Sequence, residues 1–505
     1  MAIDHYSTAT AMLAALRRRE ISSTELVEMH IARIEAHDGK LNAIPVRTFD
    51  RARQAAKRAD ERLTAGDTAP LLGLPMTLKE STLTAGLPQS AGILDFKAYR
   101  PALDGPIAAR VFRAGASLLG KTNIPVALGD WQANSPVYGR TNNPWDVSRT
   151  PGGSTGGGGA ALAAGMTPLE VGSDIGGSIR VPAAYCGVYG HRPSETAIPK
   201  SGSFPQADLP NPARLMGVQG PLARSALDLE LLFDVLVGPE PGEEVGWTLD
   251  LPPARHQRLA DFRVALLPPP LGVKASARMQ SRLEELAHFL SRAGATVAEA
   301  APGFDFKAYY YDYLRLLNVM TTIGMPRAQR EARAATLRQA GDPASLALAD
   351  GLEMDAAAYV RLVARRERAR VAWRDFFRDW DVVLAPMTLD VAFPHQEAAF
   401  EERRLTVDNQ SLPYRVTLLY AMPAIFAGQP STAFPGGLNE EGLPLGLQAI
   451  GPYLEDRTTL KFAQLVEEAW YRFEPPPDYG GSTSGQGMLL LECHNGRNSF
   501  CLLKS

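Results

Sequence analysis

Two glycine turns that carry serines lie close together in the chain: Pro151-Gly152-Gly153-Ser154-Thr155-Gly156-Gly157-Gly158-Gly159 and Gly172-Ser173-Asp174-Ile175-Gly176-Gly177-Ser178-Ile179-Arg180-Val181-Pro182. Glycine lets the backbone approach a substrate closely and turn its N–H groups inward. In the second turn the amides of Ile175, Gly176, Gly177 and Ser178 can form a nest that stabilises an oxyanion. A serine hydroxyl becomes a useful nucleophile when a base takes its proton. The candidate base is Lys79, at the end of the apolar run Pro75-Met76-Thr77-Leu78, because loss of solvent lowers an amine's pKa toward neutrality. Taken alone, the same residues also fit glycine turns used for packing and a surface lysine whose stem lies along apolar neighbours.

Two other matches lack the setting their chemistry requires. Gly115-Ala116-Ser117-Leu118-Leu119-Gly120-Lys121-Thr122 fits the phosphate-loop pattern, which needs a strand, a glycine loop and then a helix whose amides hold phosphate. Here a helical stretch comes first, the central residues read as strand, and Asn123-Ile124-Pro125 stands where the helix should begin. Gly152-Gly153-Ser154-Thr155-Gly156 fits the nucleophile elbow, whose serine must follow a buried strand. The preceding Asn142-Asn143-Pro144-Trp145-Asp146 and Arg149-Thr150-Pro151 read instead as loop. Of the eight histidines, His191 and His395 are the ones to consider for a Ser-His-Asp triad, and both read as hydrogen-bonded structural residues.

The elements that must position these turns alternate between helix and strand. Helices are expected over the first 65 residues, where Ser22-Ser23-Thr24-Glu25 has the form of a capping box. Gly73–Leu78 reads as a turn and short strand ending in Lys79. Ile107–Ala114 reads as helix, Ser117–Leu119 as buried strand, Ala160–Gly165 as a small-residue helix and Pro168–Val171 as strand. Residues 262–300 form a β-α-β pattern: a strand at Phe262–Leu267, an amphipathic helix at Ser276–Ala293 and a strand opening at Thr296. The segment 305–380 is helical and aromatic-rich, Asp381–Ala385 is a strand, and Thr459–Tyr471 is a final helix. Such alternation predicts an α/β fold in which helices cover a mixed sheet. With no repeat or clear linker, one large domain over residues 1–478 is expected, followed by an irregular tail at 479–505.

Composition narrows the function classes. The chain has 505 residues, 45 % of them apolar, enough for a large core and against disorder. Lys and Arg number 52 against 55 Asp and Glu, so no basic excess points to nucleic acid. Cys186, Cys493 and Cys501 cannot supply a disulfide framework. No uninterrupted apolar run reaches about 18 residues, so no membrane span is expected. Met1-Ala2-Ile3-Asp4-His5 has neither a basic start nor an apolar core of a signal peptide, and a cytoplasmic location is expected.

With these pieces in order, the chain resembles the amidase signature family. The resemblance is carried by Gly73-Leu74-Pro75 leading to Lys79, Gly120-Lys121-Thr122-Asn123, Asn143-Pro144-Trp145-Asp146, both serine turns, Pro182-Ala183-Ala184-Tyr185-Cys186-Gly187-Val188-Tyr189-Gly190 and Gly442-Leu443-Pro444-Leu445-Gly446-Leu447-Gln448, over roughly residues 5–475. It implies a single α/β domain with a central mixed sheet flanked by helices. It also implies a Ser-Ser-Lys triad that uses no cofactor: Ser178 as nucleophile, Ser154 behind a cis peptide bond as proton relay, and Lys79 as base. Lys79-Glu80 departs from the family's usual Lys-Asp, and Thr155 replaces its second serine.

The resemblance further implies cleavage of amide-type C–N bonds in amides, anilides or carbamates through an acyl-enzyme. The chain is then a monomer or homodimer acting on a small molecule, without nucleic acid or membrane. Trp131-Gln132 with Tyr138 resembles members that act on apolar or aryl amides more than it resembles the glutamine-dependent transamidation subunit, and the chain as a whole resembles bacterial amidases described as urethanases. The alternatives are the amidase subunit of a tRNA-dependent amidotransferase and an esterase of the same fold. Leu128, Trp131 and Gln132 are expected on one side of the substrate pocket. Tyr313, Leu317 and Met320, from the segment 305–330, are expected opposite them, although the helical spacing of Leu316, Met320 and Ile323 equally fits core. Neither a H-E-x-x-H motif nor a Cys/His cluster with ligand spacing is present. Activity is therefore expected to be unchanged by EDTA and by added divalent metals; a reversible loss on chelation would contradict this.

Overall fold

Apolar runs and their alternation with helices produce one mixed sheet of eleven strands in the computed structural model, which describes residues 3–204 and 215–480. In chain order the strands are β1 (Val46–Arg47), β2 (Pro75–Lys79), β3 (Ser117–Thr122), β4 (Leu169–Asp174), β5 (Tyr189–Arg192), β6 (Val218–Ala223), β7 (Arg263–Leu266), β8 (Thr296–Glu299), β9 (Val382–Pro386), β10 (Ser431–Leu438) and β11 (Pro444–Ile450). Across the sheet they run β1-β3-β2-β4-β6-β5-β10-β11-β9-β7-β8. β3, β2 and β4 are mutually parallel, as are β9, β7 and β8, with antiparallel strands between the two groups. Helices cover the sheet, and its central strands are buried throughout, as expected for a sheet packed on both faces.

Every predicted strand is present, with ends that differ by a few residues. The β-α-β pattern becomes β7, the Ala277–Arg292 helix and β8, which pairs in parallel with β7. The 305–380 segment forms four helices, Phe306–Thr321, Arg327–Ala340, Pro343–Leu352 and Ala356–Phe376. The final helix spans Asp456–Ala469. Residues 481–505 of the expected tail lie outside the described residues. Tyr479 is buried, and its carbonyl accepts a hydrogen bond from the Tyr6 hydroxyl at 2.9 Å.

The largest departure concerns the small-residue helix. It spans Gly156–Ala163, so the glycines read as a turn form its first turns. Close packing is the reason. A Cβ at Gly157 would lie 2.3 Å from the backbone nitrogen of Asn123 and 2.5 Å from the carbonyl oxygen of Ala43. The helix therefore approaches the end of β3 more closely than any side chain permits, and this sets the depth at which Ser154 enters the site.

Gly157→Ala gains about 1 kcal/mol of helix propensity, but the contact with backbone costs more, about 1–3 kcal/mol or above for an overpacked interior. The variant is expected to be net destabilised in urea unfolding; a midpoint equal to or above that of the parent would contradict the close approach.

Candidate functional site

β2 ends at Lys79 and its parallel neighbour β4 ends at Asp174, so both carboxyl ends open on the same edge of the sheet. Side chains placed there meet at a carboxyl-end crevice, the usual ligand position of such sheets. Ser154 arrives from the other turn, just before the Gly156–Ala163 helix, and the Gly153–Ser154 peptide bond is cis. The fully buried Lys79 amine donates to Ser154 Oγ at 2.7 Å and to Ser173 Oγ at 2.9 Å. Burial pushes its pKa down to about 7, against the pull of the Asp174 and Glu170 carboxylates. A serine hydroxyl is thus bonded to an amine that gains and loses its proton near neutral pH.

Ser178 is buried, and its hydroxyl makes no hydrogen bond to any described residue. Its backbone carbonyl accepts from Thr155 N–H at 3.2 Å, which ties the two serine turns together beside Ser154. The loop that carries it is organised by Asp174. That carboxylate accepts from Gly177 N–H at 3.0 Å and Ile179 N–H at 3.3 Å, and from Arg180 Nε at 3.0 Å. Arg180 continues to Gln448 Oε1 at 2.8 Å and to the carbonyl of Ala421 at 3.1 Å. Despite its burial Asp174 is held near pKa 2 by Arg180 and Arg192. Gly177, at φ +95°, makes the turn that only glycine adopts without strain.

Three carbonyls of this loop are pinned from behind. Asp174 O accepts from Arg192 at 2.9 Å, Ile175 O from the Tyr313 hydroxyl at 3.2 Å, and Gly177 O from Val181 N–H at 2.7 Å. In a trans peptide the C=O and N–H point oppositely. The N–H groups of Ile175, Gly176 and Ser178 are therefore turned the other way, and none donates to a described residue. Of the four amides expected at an oxyanion hole, that of Gly177 is instead committed to Asp174.

The residues expected at the pocket differ in their surroundings. Trp131 is buried, and its Nε1 donates to Gly176 O at 2.9 Å. Gln132 is bonded to the backbone of Gln396: Nε2 donates to Gln396 O at 3.0 Å, and Oε1 accepts from Gln396 N–H at 2.8 Å. Tyr313 is fully buried, with its hydroxyl on the carbonyl of Ile175. Met320 is buried, with its sulfur 3.2 Å from Leu215 N. Leu317 and Leu128 are half-buried. Leu418 and Ala421, which no sequence pattern singles out, approach the loop: a Cβ on Gly176 would meet Leu418 at 3.4 Å, and one on Gly177 would meet Ala421 at 3.2 Å. Their segment, 414–421, carries no motif that could mark it. Asp174 and Arg180 stand in the second glycine turn, and a carboxylate amid apolar strand residues is the available signal for Glu170.

The lookalike motifs are used up elsewhere. Lys121 is a buried residue of β3 that donates to Pro88 O, and Thr122 donates to Glu170 Oε1 at 2.7 Å. His191 bonds through both ring nitrogens, to Thr432 and Asp456.

Comparison with known proteins agrees with this architecture. The Amidase family model matches residues 25–460. A glutamyl-tRNA(Gln) amidotransferase subunit from Anaeromyxobacter dehalogenans is 31 % identical over 492 residues, covering 92 % of this chain and 96 % of that protein. Indoleacetamide hydrolase of Bradyrhizobium diazoefficiens is 31 % identical over 452 residues, covering 89 % and 84 %. Among solved structures, 6-aminohexanoate cyclic dimer hydrolase is similar with a TM-score of 0.74 and 25 % identity, covering 94 % of this chain and 99 % of that one.

Asp174→Asn leaves buried Arg180 and Arg192 without their anion, a loss of about 3–5 kcal/mol for a broken buried pair. Because the folded-state pKa lies below the ordinary carboxylate value, this stability is present above pH ~4 and fades as pH falls toward ~2. Urea unfolding at pH 7 is expected to show the loss; a change within about 0.5 kcal/mol, as at an uncritical surface site, would contradict the anchoring role.

Proposed function

The chain belongs to the Amidase family, and on that premise we propose that it hydrolyses amide-type C–N bonds of small amides, anilides or carbamates through an acyl-enzyme on Ser178. The observation that carries this reading is the 2.7 Å contact between a fully buried, near-neutral Lys79 amine and Ser154. Lys79 takes the Ser154 proton while Ser154 takes that of Ser178, whose Oγ forms a bond to the carbonyl carbon. The carbonyl oxygen becomes an oxyanion facing the free amides of Ile175, Gly176 and Ser178, a preorganised set that needs no reorientation during reaction. On collapse the C–N bond breaks, and the proton returns through Ser154 to the leaving nitrogen. Water repeats the sequence on the ester, releasing the acyl group and restoring the Ser178 hydroxyl. No metal or cofactor is assigned to any step.

Trp131, Leu418 and Ala421, all against the 175–178 loop, support an acyl or leaving group that is aryl or bulky alkyl, each buried CH₂ contributing about 0.8 kcal/mol. A second reading, in which glutamine is the amide donor within a larger amidotransferase complex, is favoured by the relative of that name. A panel of anilide, aryl carbamate, ester and glutamine substrates separates them: turnover of anilide or carbamate by the isolated chain supports the first, and glutaminase activity confined to a co-purified complex supports the second.

Ser178→Ala is expected to lower kcat by at least about 10³-fold with the melting temperature unchanged, and a Lys79→Ala, Ser178→Ala double variant to be scarcely worse than either single one, as for residues acting as a unit. Independent, multiplying losses would contradict the relay. In the parent, kcat/KM is expected to fall as pH drops through about 7, because the base must be neutral; a profile flat from pH 8 to 5 would contradict Lys79 as base.

A further inference from the structure

One buried carboxyl near the relay has no part in the steps above. Glu170 lies on β4 with its Cα paired to Thr77 of β2, two residues before Lys79. Because side chains alternate along a strand, Thr77, Lys79 and Glu170 share a face. Thr122, paired with Lys79 from the other side, reaches across that face and donates to Glu170 Oε1 at 2.7 Å. Glu170 Oε2 has no hydrogen-bond partner among the described residues. The covering helix makes room for the carboxyl with a glycine: a Cβ on Gly158 would lie 2.6 Å from Glu170 Cγ and 2.8 Å from Oε1. A buried carboxyl with one oxygen unsatisfied is costly.

We infer that Glu170 is a positioning residue, the buried carboxylate that balances the ammonium formed on Lys79 when it takes up the serine proton. This rests on the reading of Lys79 as base. Two carboxylates act on Lys79, Asp174 and Glu170. Asp174 is already shared between Arg180 and Arg192 and two backbone amides. Glu170 accepts from Thr122, shares its face with Thr77 and has Lys79 as its cation, while the helix presents uncharged Gly158 and β6 pairs Leu222 with it. Glu170 is thus the acid with no other cation to serve. Burial raises its pKa to about 7, so amine and carboxyl titrate together near neutrality. As a carboxylate it strengthens Lys79 as a proton acceptor and keeps the transient ammonium from standing alone in a dry interior.

The test is the pH profile of kcat/KM and kcat for Glu170→Gln, which keeps the shape of the side chain and can still accept from Thr122. Loss of the negative charge lowers the Lys79 pKa, so the acidic limb is expected to move down by about one pH unit or more, with a plateau kcat at least about tenfold lower as the base weakens. A limb that stays in place, with any loss of rate matched by a lower melting temperature, would overturn the inference and leave Glu170 a structural residue. If Glu170→Gln does not fold, Thr122→Val decides: it removes the donor that stabilises the carboxylate, and the limb is expected to move in the same direction by a smaller amount, an unmoved limb counting against the inference. Lys79→Ala, run in parallel, separates the two levels. Near-parent activity there would overturn the base assignment itself, whereas an inactive Lys79→Ala beside an unmoved Glu170→Gln profile overturns the Glu170 role alone.

Discussion

A lysine amine held entirely out of water, at the end of a strand flanked on both sides, is the constraint around which this molecule is arranged. Stripped of solvent, an ammonium is expensive, and Lys79 escapes that cost by becoming neutral near pH 7. The dryness comes from the fold. β2 lies between β3 and β4, and the Gly156–Ala163 helix closes over the edge at a distance only glycine allows. The same closeness brings Ser154 to hydrogen-bonding distance of the amine. Desolvation of the amine and delivery of the hydroxyl are therefore one packing event.

A second buried charge shapes the partner loop. Asp174 is ionised inside the protein because two arginines and two backbone amides surround it. Arg180 extends that arrangement to Gln448 on β11 and to the 414–421 segment, so a loop following β4 is fixed from the far half of the sheet. With Arg192, Tyr313 and Val181 holding three of its carbonyls, the loop has little freedom to rotate its free amides away. Rigid placement of donors is what electrostatic catalysis requires.

Much of this is legible in the sequence, and unevenly so. The glycine turns, Lys79 and the strand-helix alternation stand in local patterns, and the class of fold follows from them. The start of the helix at Gly156 is not legible, because a glycine run signals a turn until the neighbouring Asn123 backbone is seen to exclude any Cβ. Which way Gln132 and Tyr313 turn is not legible in the sequence, because their partners lie 264 and 138 residues away along the chain. Gln132 is drawn to the backbone of Gln396, and Tyr313 to the carbonyl of Ile175. The contribution of Leu418 and Ala421 is invisible for the same reason. Context alone discounts the phosphate-loop lookalike, whose lysine donates to Pro88 O and whose threonine donates to Glu170.

The central claim is that Ser178 becomes covalently acylated with the help of the Lys79 amine. Rapid acid quench of the enzyme with a slowly deacylating aryl carbamate or ester, followed by intact-mass measurement and peptide mapping, tests it most directly. The account predicts one added acyl group per chain, located on Ser178, formed more slowly as pH falls below about 7 and absent in the Lys79→Ala variant. An acyl group mapped to Ser154 or Ser173, or steady turnover with no adduct under conditions where the deacylation step is slow, would contradict it.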